Sequence, residues 1–558
     1  MMDLSPEEKA VGKSNFQSAI GVTRREFLEG AVAAGVVSGA GLGAFYYGYE
    51  KINDPLRIGV IGTGDEGSVL LGAHTPEYLN VVAIADIRPY NIHRAFHGDP
   101  TAMAARPGLL SKYGWKSEDE ARKHVKVYDA DYHELLDDPA IEAVVIALPL
   151  HLHDVVAVEA MNKGKHVLTE KLMGYSVARC KSMGRVANQL KKHLATGHQR
   201  HYSILYDNAV DMIKQGLLGT LHSIRAQWHR TKDSWYAPLP DERLAKELED
   251  MRKKLSDAAD KKDNARIEAV SVKIRDLEYR LLDRDKVDAS KYGYQSKTLT
   301  QGSLTYECSP LEELIRWRLW QRTGGGLMAE LGSHQLDAAG IFCTAVRRPD
   351  ADGKVQKAKP LSVSAVGGRH LYELNRECED HVYCMFEYPG PDFENDQNKK
   401  IVVTYSSING NGFGGYGEVV MGTEGTLVLE VEKEVMLYPN TGTSTHIKVA
   451  KGKGDKPVLS TSESGAAPAA ALGKKALESG PVSRGYTEEM EHFAWCVRNF
   501  DFEHNKPKCH PEVALADAVI ALTTNQAIRN REQITFKDEW FKIDSDETPD
   551  GEKPEVAV

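Results

Sequence analysis

Apolar positions in the first part of the chain follow two alternating rhythms. Compact apolar runs at Ile58 to Ile61, Val81 to Ala85, Glu142 to Leu148, His166 to Thr169 and Leu194 to Thr196 read as buried strands, with Lys126 to Tyr128 as a shorter one. Between them, Asp154 to Lys163 and Ser176 to Leu190 carry helical spacing, the first stopped by Gly164. Tyr132 to Leu136 predicts a helical turn that ends at Asp137-Asp138-Pro139. Strands alternating with helices predict an α/β domain over residues 55–198, built on a doubly wound parallel sheet.

Beyond about residue 220 the rhythm changes. Ser223 to His229, Ser362 to Gly367, His381 to Tyr388, Lys400 to Ser406, Glu418 to Met421 and Gly425 to Leu429 read as strands with few helices between them. They predict an α+β domain over 199–543 with a large, mostly antiparallel open sheet. Residues 241–286 interrupt it. Leu244, Leu248, Met251 and Leu255, then Ile267, Val270, Ile274, Leu277 and Leu281, make one apolar seam whose phase slips at Lys261-Lys262-Asp263-Asn264. The pattern predicts an inserted helical hairpin or long bent helix, serving as packing, a subunit contact or a lid. Glu488 to Asn499 and Glu512 to Arg531 are helical in spacing. Residues 452–480, rich in Gly, Ser, Ala and Lys, predict a mobile loop, and the acidic tail 544–558 predicts disorder.

Where the first strand ends, the chain reads Gly62-Thr63-Gly64-Asp65-Glu66-Gly67, and the second ends on Asp86. Strand, glycine turn, helix, strand and acid together fit a dinucleotide. Gly62 permits the tight turn, Gly64 lets the backbone approach a pyrophosphate, and Gly67 lets the helix pack on its strand. Exposed N–H groups at the helix start hold the phosphates. Asp86 accepts hydrogen bonds from ribose hydroxyls and repels a 2′-phosphate, which favours NAD over NADP. Arg88 softens that preference or lies over the adenine. Asp65 and Glu66 are unexpected beside a diphosphate, and are expected to point outward.

The N-terminus changes where the protein is expected to work. Thr23-Arg24-Arg25-Glu26-Phe27-Leu28 precedes a small-residue apolar stretch from Ala31 to Tyr47. It resembles a twin-arginine export signal, which implies the twin-arginine machinery as a partner and a periplasmic or membrane-anchored location. Residues 1–50 are set apart from the fold as signal or anchor. The net charge of −10 leaves no basic footprint for nucleic acid. Seven scattered cysteines form no CxxC pair, and no metal site is nominated.

Two constellations carry candidate chemistry. Glu170-Lys171 follows a parallel strand, and ligands sit outside the carboxyl ends of such strands. Lys171 is placed to donate a hydrogen bond to a substrate oxygen, although an exposed Glu–Lys pair is the common alternative. In Gly324-Gly-Gly-Leu-Met-Ala-Glu330-Leu-Gly-Ser-His334-Gln-Leu-Asp337, Glu330 and His334 share one face if the segment is helical. His334 is placed to take an alcohol proton, and Glu330 to fix its tautomer or bind a sugar hydroxyl. A capping acid and a core histidine are the alternative.

Together these motifs resemble the glucose–fructose oxidoreductase, inositol dehydrogenase and rhizopine-catabolism (Gfo/Idh/MocA) oxidoreductases. The resemblance rests on GTGDEG with Asp86, AVVIALPLHLH (143–153), GKHVLTEKL (164–172), GHQR (197–200) and GGGLMAELGSH (324–334). It implies a Rossmann domain, an open-faced sheet domain that associates into homo-oligomers, a nicotinamide cofactor and a sugar or polyol substrate. Lys171 and His334 match the family's lysine and histidine, with Glu330 where aspartate is usual and Leu172 where proline is usual. Thr63, Pro149, His153, Glu170 and Gln199 join Gly62, Gly64, Gly67, Asp86, Arg88 and Lys171 as cofactor-facing residues. The implied activity is NAD(P)-dependent oxidation of a secondary hydroxyl, and export away from any pool of free NAD would require the cofactor to be tightly bound. A redox-neutral glycoside hydrolase or lyase working through a 3-keto intermediate is the alternative, and a non-catalytic cofactor-binding module the second.

Overall fold

The computed structural model describes residues 4–23, 47–99, 106–231, 237–350, 353–440, 448–451, 457–460 and 484–555. Arg24, Arg25 and the apolar stretch to Phe45, with most of the 452–480 segment, lie outside the described residues. No helix among the described residues is long and apolar enough to cross a membrane.

Helix α1 (Pro6–Thr23) comes first, followed by β1 (Leu56–Ile61), helix α2 (Asp65–Ala73), β2 (Leu79–Ala85), helix α3 (Pro89–His97), β3 (Lys126–Tyr128), β4 (Ala143–Ile146), β5 (His166–Glu170) and β6 (Leu194–Gly197). The six strands form a sheet in the order β3-β2-β1-β4-β5-β6, and every pairing is parallel. The order reverses between β1 and β4, which opens the crevice where ligands bind in such sheets. The strands are apolar along their length because helices cover both faces. β4 is buried at every position.

The second domain holds β7 (Leu221–Arg230), the insertion helices α4 (Glu242–Asp260) and α5 (Asn264–Lys286), a hairpin of β8 (Lys297–Gln301) and β9 (Leu304–Cys308), and helix α6 (Ser333–Ala345). Then come β10 (Ser362–Gly368), β11 (His381–Pro389), β12 (Lys400–Asn409), β13 (Tyr416–Gly422), β14 (Gly425–Glu430), β15 (Glu434–Pro439), the hairpin β16 (Lys448–Lys451) and β17 (Pro457–Ser460), helices α7 (Tyr486–Arg498) and α8 (Pro511–Asn530), and β18 (Ile534–Thr535). The large sheet runs β15-β14-β13-β7-β12-β11-β10-β18. It is antiparallel except where β12 lies parallel to β7, so the sheet is mixed. β12 alternates half-buried and buried residues from end to end, the mark of a sheet with one covered face. α6 and α8 lie on that face.

Three segments depart from the expected layout. Residues 1–50 were expected to stand outside the fold, but α1 is seated along edge strand β15. Phe16, Ala19 and Ile20 are buried there, Lys9 and Lys13 pair with Glu430 (2.6 Å) and Glu434 (2.7 Å), and Asn15 donates to the Leu437 carbonyl. A covered edge no longer offers unpaired backbone groups to another chain. The tail expected to be disordered is ordered through residue 555. Lys181 donates to the carbonyls of Glu539, Ser545 and Glu547 at 2.6–2.9 Å, and Thr548 is buried. Finally, α7 returns to the nucleotide domain, where Met490, Phe493 and Ala494 join the core under β1 and β2. The expected hairpin is present: α4 and α5 close their apolar seam on each other, with the turn at the phase slip.

Candidate functional site

The glycine turn is shaped by contacts that only glycine permits. Gly62 has φ +88°, and a Cβ there would come within 2.4 Å of the Ala147 carbonyl oxygen. A Cβ on Gly67 would come within 2.1 Å of the Gly62 carbonyl oxygen, so Gly67 is what lets α2 close on β1. Gly64 differs: its Cβ direction is open, with Asn91 Nδ2 the nearest atom at 3.7 Å. α2 starts at Asp65 with no side chain capping its first N–H groups. That combination fits a pyrophosphate, which needs close backbone approach and free donors at a helix start.

Asp86 closes the crevice at the end of β2. Its carboxylate accepts the Thr63 N–H (2.8 Å), the Asn91 side-chain amide (3.0 Å) and the Arg88 N–H (2.9 Å), so it is fixed in place. Asp65 points outward as expected, onto Arg94 (2.8 Å), with Arg106 at 3.6 Å and Arg318 at 4.0 Å. Its charge is therefore neutralised at the turn. Glu66 does not point outward. It turns into the cleft, where burial pushes its carboxyl above the ordinary range against the pull of Lys171, Arg484 and Arg318.

Lys171 and Glu330 meet from different domains. Lys171 Nζ donates to the Glu330 main-chain carbonyl at 2.6 Å and lies 3.7 Å from its carboxylate. The Lys171–Leu172 peptide bond is cis. Glu330 also accepts from Arg318 Nε at 2.8 Å. Burial would raise the Glu330 carboxyl, but Lys171 and Arg318 hold it at about 2, so it is ionised throughout the working range. Glu330 was expected to share a helix face with His334. Residues Met328–Gly332 instead form one π-helical turn before α6 begins. That wider turn breaks α-helical phase, and Glu330 makes its contacts with Arg318 and Lys171 while the His334 ring lies against Trp228 (ring centroids 5.5 Å).

His334 is held in its neutral form. Burial pushes its imidazole well below the ordinary range, and the charges of Lys171 and Arg200 push the same way. Its backbone is anchored from behind. Arg200 donates to the His334 carbonyl and pairs with Glu432 at 2.7 Å, while Asp337 takes His201 (2.8 Å) and Lys357 (2.7 Å). Glu170 lies below Lys171. Its Oε2 accepts the Lys171 N–H at 3.1 Å, and Oε1 is buried without a hydrogen-bond partner. Burial and the nearby Glu66 carboxylate push it up to about 8.

The remaining sequence candidates sit around this centre with different duties. Pro149 ends the loop after β4, half-buried at the crevice. His153 is buried with Nδ1 2.8 Å from the Leu172 carbonyl and Nε2 2.8 Å from the Leu148 carbonyl. It braces the ends of β4 and β5. Gln199 is buried beside Glu432 at 3.4 Å. Arg88 pairs with Asp283 of the insertion at 2.9 Å.

Several site residues had no signal in the sequence. Arg318 precedes the glycine run without a motif of its own, yet it joins Glu330 to Asp65. Arg230 ends β7 two residues after Trp228 and covers that ring at 5.0 Å. Glu489 comes from α7 with both carboxylate oxygens buried and unpartnered, and burial pushes it well above the ordinary range. Only Glu66, out of place in a phosphate turn, was conspicuous beforehand.

Fold and site define a two-domain, Rossmann-type protein with its cleft between the domains. Residues 56–198 match the model of the Gfo/Idh/MocA oxidoreductase family, NAD-binding Rossmann fold, so the nucleotide domain is of that type. Inositol 2-dehydrogenase of Salmonella paratyphi B is 29% identical over 168 residues, which is 29% of this chain and 43% of that protein. Glycosyl hydrolase family 109 protein 2 of Phocaeicola vulgatus is 26% identical over 184 residues, 33% of this chain and 41% of that protein. The chain thus spans less than half the length of these relatives. Levoglucosan dehydrogenase, solved as a complex with NADH, is similar in fold (TM-score 0.51, 16% identity), covering 87% of this chain and all of that one.

Proposed function

We propose that this protein is a nicotinamide-dependent oxidoreductase acting on a secondary hydroxyl of a sugar, sugar derivative or polyol, with NAD favoured over NADP and tightly held. The observation that carries the reading is the meeting of Lys171 with Glu330, beside His334, at the carboxyl end of β5. Asp86, fixed at the end of β2, supports the choice of NAD. A nicotinamide supplies the hydride acceptor. The chain supplies the rest. His334, kept neutral by burial, takes the proton of the alcohol oxygen. Lys171, steered by the Glu330 carbonyl, donates a hydrogen bond to that oxygen as negative charge develops on it. Ionised Glu330, clamped by Arg318, keeps the lysine in place.

The similarity to a family 109 glycosyl hydrolase favours a second reading, in which the hydroxyl is oxidised only transiently and the cycle ends redox-neutral. One experiment tests both. The purified protein is denatured, released nucleotide is identified, and native protein is then turned over on sugars and glycosides. Release of NAD(H) is expected. NADH accumulating in step with ketone supports the dehydrogenase, whereas turnover without net NADH, with substrate C–H exchange into deuterated solvent, supports the hydrolase. A preparation that neither holds nor binds NAD(H) or NADP(H) overturns the reading.

The same proposal includes export by the twin-arginine route, supported by Arg24-Arg25 and the apolar stretch after them. Retention of the N-terminus goes with the contacts of α1 on β14 and β15. Association into a homo-oligomer through the open face of the large sheet is supported by Val366, Tyr383 and Met385, neighbours on β10 and β11 that are exposed at 66%, 46% and 49%.

A further inference from the structure

The insertion of α4 and α5 does more than pack on itself. α5 lies along α3, the helix that follows Asp86. Tyr279 stacks on His93 with ring centroids 3.8 Å apart, and Arg280 donates to the Tyr90 hydroxyl. At the end of this contact sits Asp283, 1% exposed. Its Oδ2 accepts from Arg88 Nε at 2.9 Å, and its Oδ1 accepts the Tyr90 N–H at 3.1 Å. The second bond supplies from another helix the acceptor that the start of α3 lacks, since Arg88 at its N-cap contributes no side-chain bond.

The position of this pair gives it a consequence. In dinucleotide crevices the acid ending the second strand meets the ribose hydroxyls, and an arginine close behind it is the group that accommodates a 2′-phosphate. Here those residues are Asp86 and Arg88, and Asp86 already accepts the Arg88 N–H at 2.9 Å. Asp283 brings a second carboxylate to the same corner and pairs with the Arg88 guanidinium. Burial raises the Asp283 carboxyl above its ordinary range, and Arg88 and the Tyr90 N–H offset only part of that rise.

We propose that the 241–286 insertion sets nucleotide choice, with Asp283 holding the Arg88 guanidinium away from any 2′-phosphate and so excluding NADP. This makes Asp283 a specificity-determining positioning residue, acting through Arg88. The inference rests on the nicotinamide reading above.

The test reads binding rather than turnover. Full-length protein, stripped of nucleotide, is titrated calorimetrically with NAD+ and separately with NADP+. Native protein is expected to bind NAD+ ~100-fold more tightly, because a 2′-phosphate would face Asp86 while the Arg88 guanidinium stays paired with Asp283. Asp283→Asn keeps an acceptor for the Tyr90 N–H and frees Arg88, so NADP+ affinity is expected to rise ~10-fold with NAD+ affinity within about threefold of native. Adding Arg88→Ala to that variant is expected to abolish the gain. Unchanged NADP+ affinity in Asp283→Asn, or a gain that survives loss of Arg88, overturns the inference and leaves the oxidoreductase reading standing. Comparable affinity of the native protein for the two nucleotides overturns it without any variant, which covers the case in which Asp283→Asn does not fold. Failure of native protein to bind either nucleotide removes the function and the inference together.

Discussion

Replacing Glu170 by glutamine removes one ionisable group from the floor of the cleft and leaves an acceptor for the Lys171 N–H. In the folded protein Glu170 is 6% exposed and its proton is released near pH 8, against 4.5 for an ordinary glutamate. The cause is burial, followed by the Glu66 carboxylate. Lys171 opposes both, and Glu330 adds to the rise. Glu489 feels Glu170 in turn. Between those two pH values the folded chain binds a proton that the unfolded chain has released, so unfolding free energy falls as pH rises. The stabilising contribution is complete below the unfolded value and is gone once pH passes the folded one. Each unit of displacement corresponds to about 1.4 kcal/mol, a ceiling of about 5 kcal/mol over the window. Sharing of the proton with Glu66 spreads and lowers this, so Glu170→Gln is expected to match native stability at pH 5 and exceed it by ~2 kcal/mol at pH 9. Urea unfolding followed by tryptophan fluorescence at the two pH values measures the difference. The same offset at both, or a variant less stable at pH 9, would refute the argument that this carboxyl is folded in its protonated form.

Lys171→Ala and His334→Ala should each lower turnover by about 10²–10⁴-fold while nucleotide stays bound, as expected for proton-transfer groups; near-native turnover in both would rule the pair out. Arg318→Met leaves Glu330 with Lys171 as its main partner, and kcat should drop ~10-fold or more with KM little changed, because the loss is in lysine positioning; a change confined to KM would instead place Arg318 in substrate binding. Changing Arg24 and Arg25 to lysine should leave the protein in the cytoplasm, checked by fractionation; unchanged fractionation would point to another route or to a chance motif.

Much of this protein was readable from local rules. The parallel strands were legible because each is a short apolar run next to a helical period, and the glycine turn because Gly62 and Gly67 sit where a Cβ would strike backbone. Asp86 and Lys171 were nominated by their place at strand ends, and the insertion hairpin was legible from the slip in its seam. What local rules could not supply was the partner of each charge. The π-turn at Met328–Gly332 has no sequence signature, and with it Glu330 makes its contacts with Lys171 and Arg318. Arg318, Glu489 and Asp283 reach the crevice from distant segments; α1 was set aside with the export signal that follows it, and the tail for its acidic composition, because their docking faces exist only once β15 and Lys181 are in place. Periodicity and steric exclusion act between residues near in sequence. Charge pairing and burial act through space, so they were fixed only when the two domains closed around the cleft.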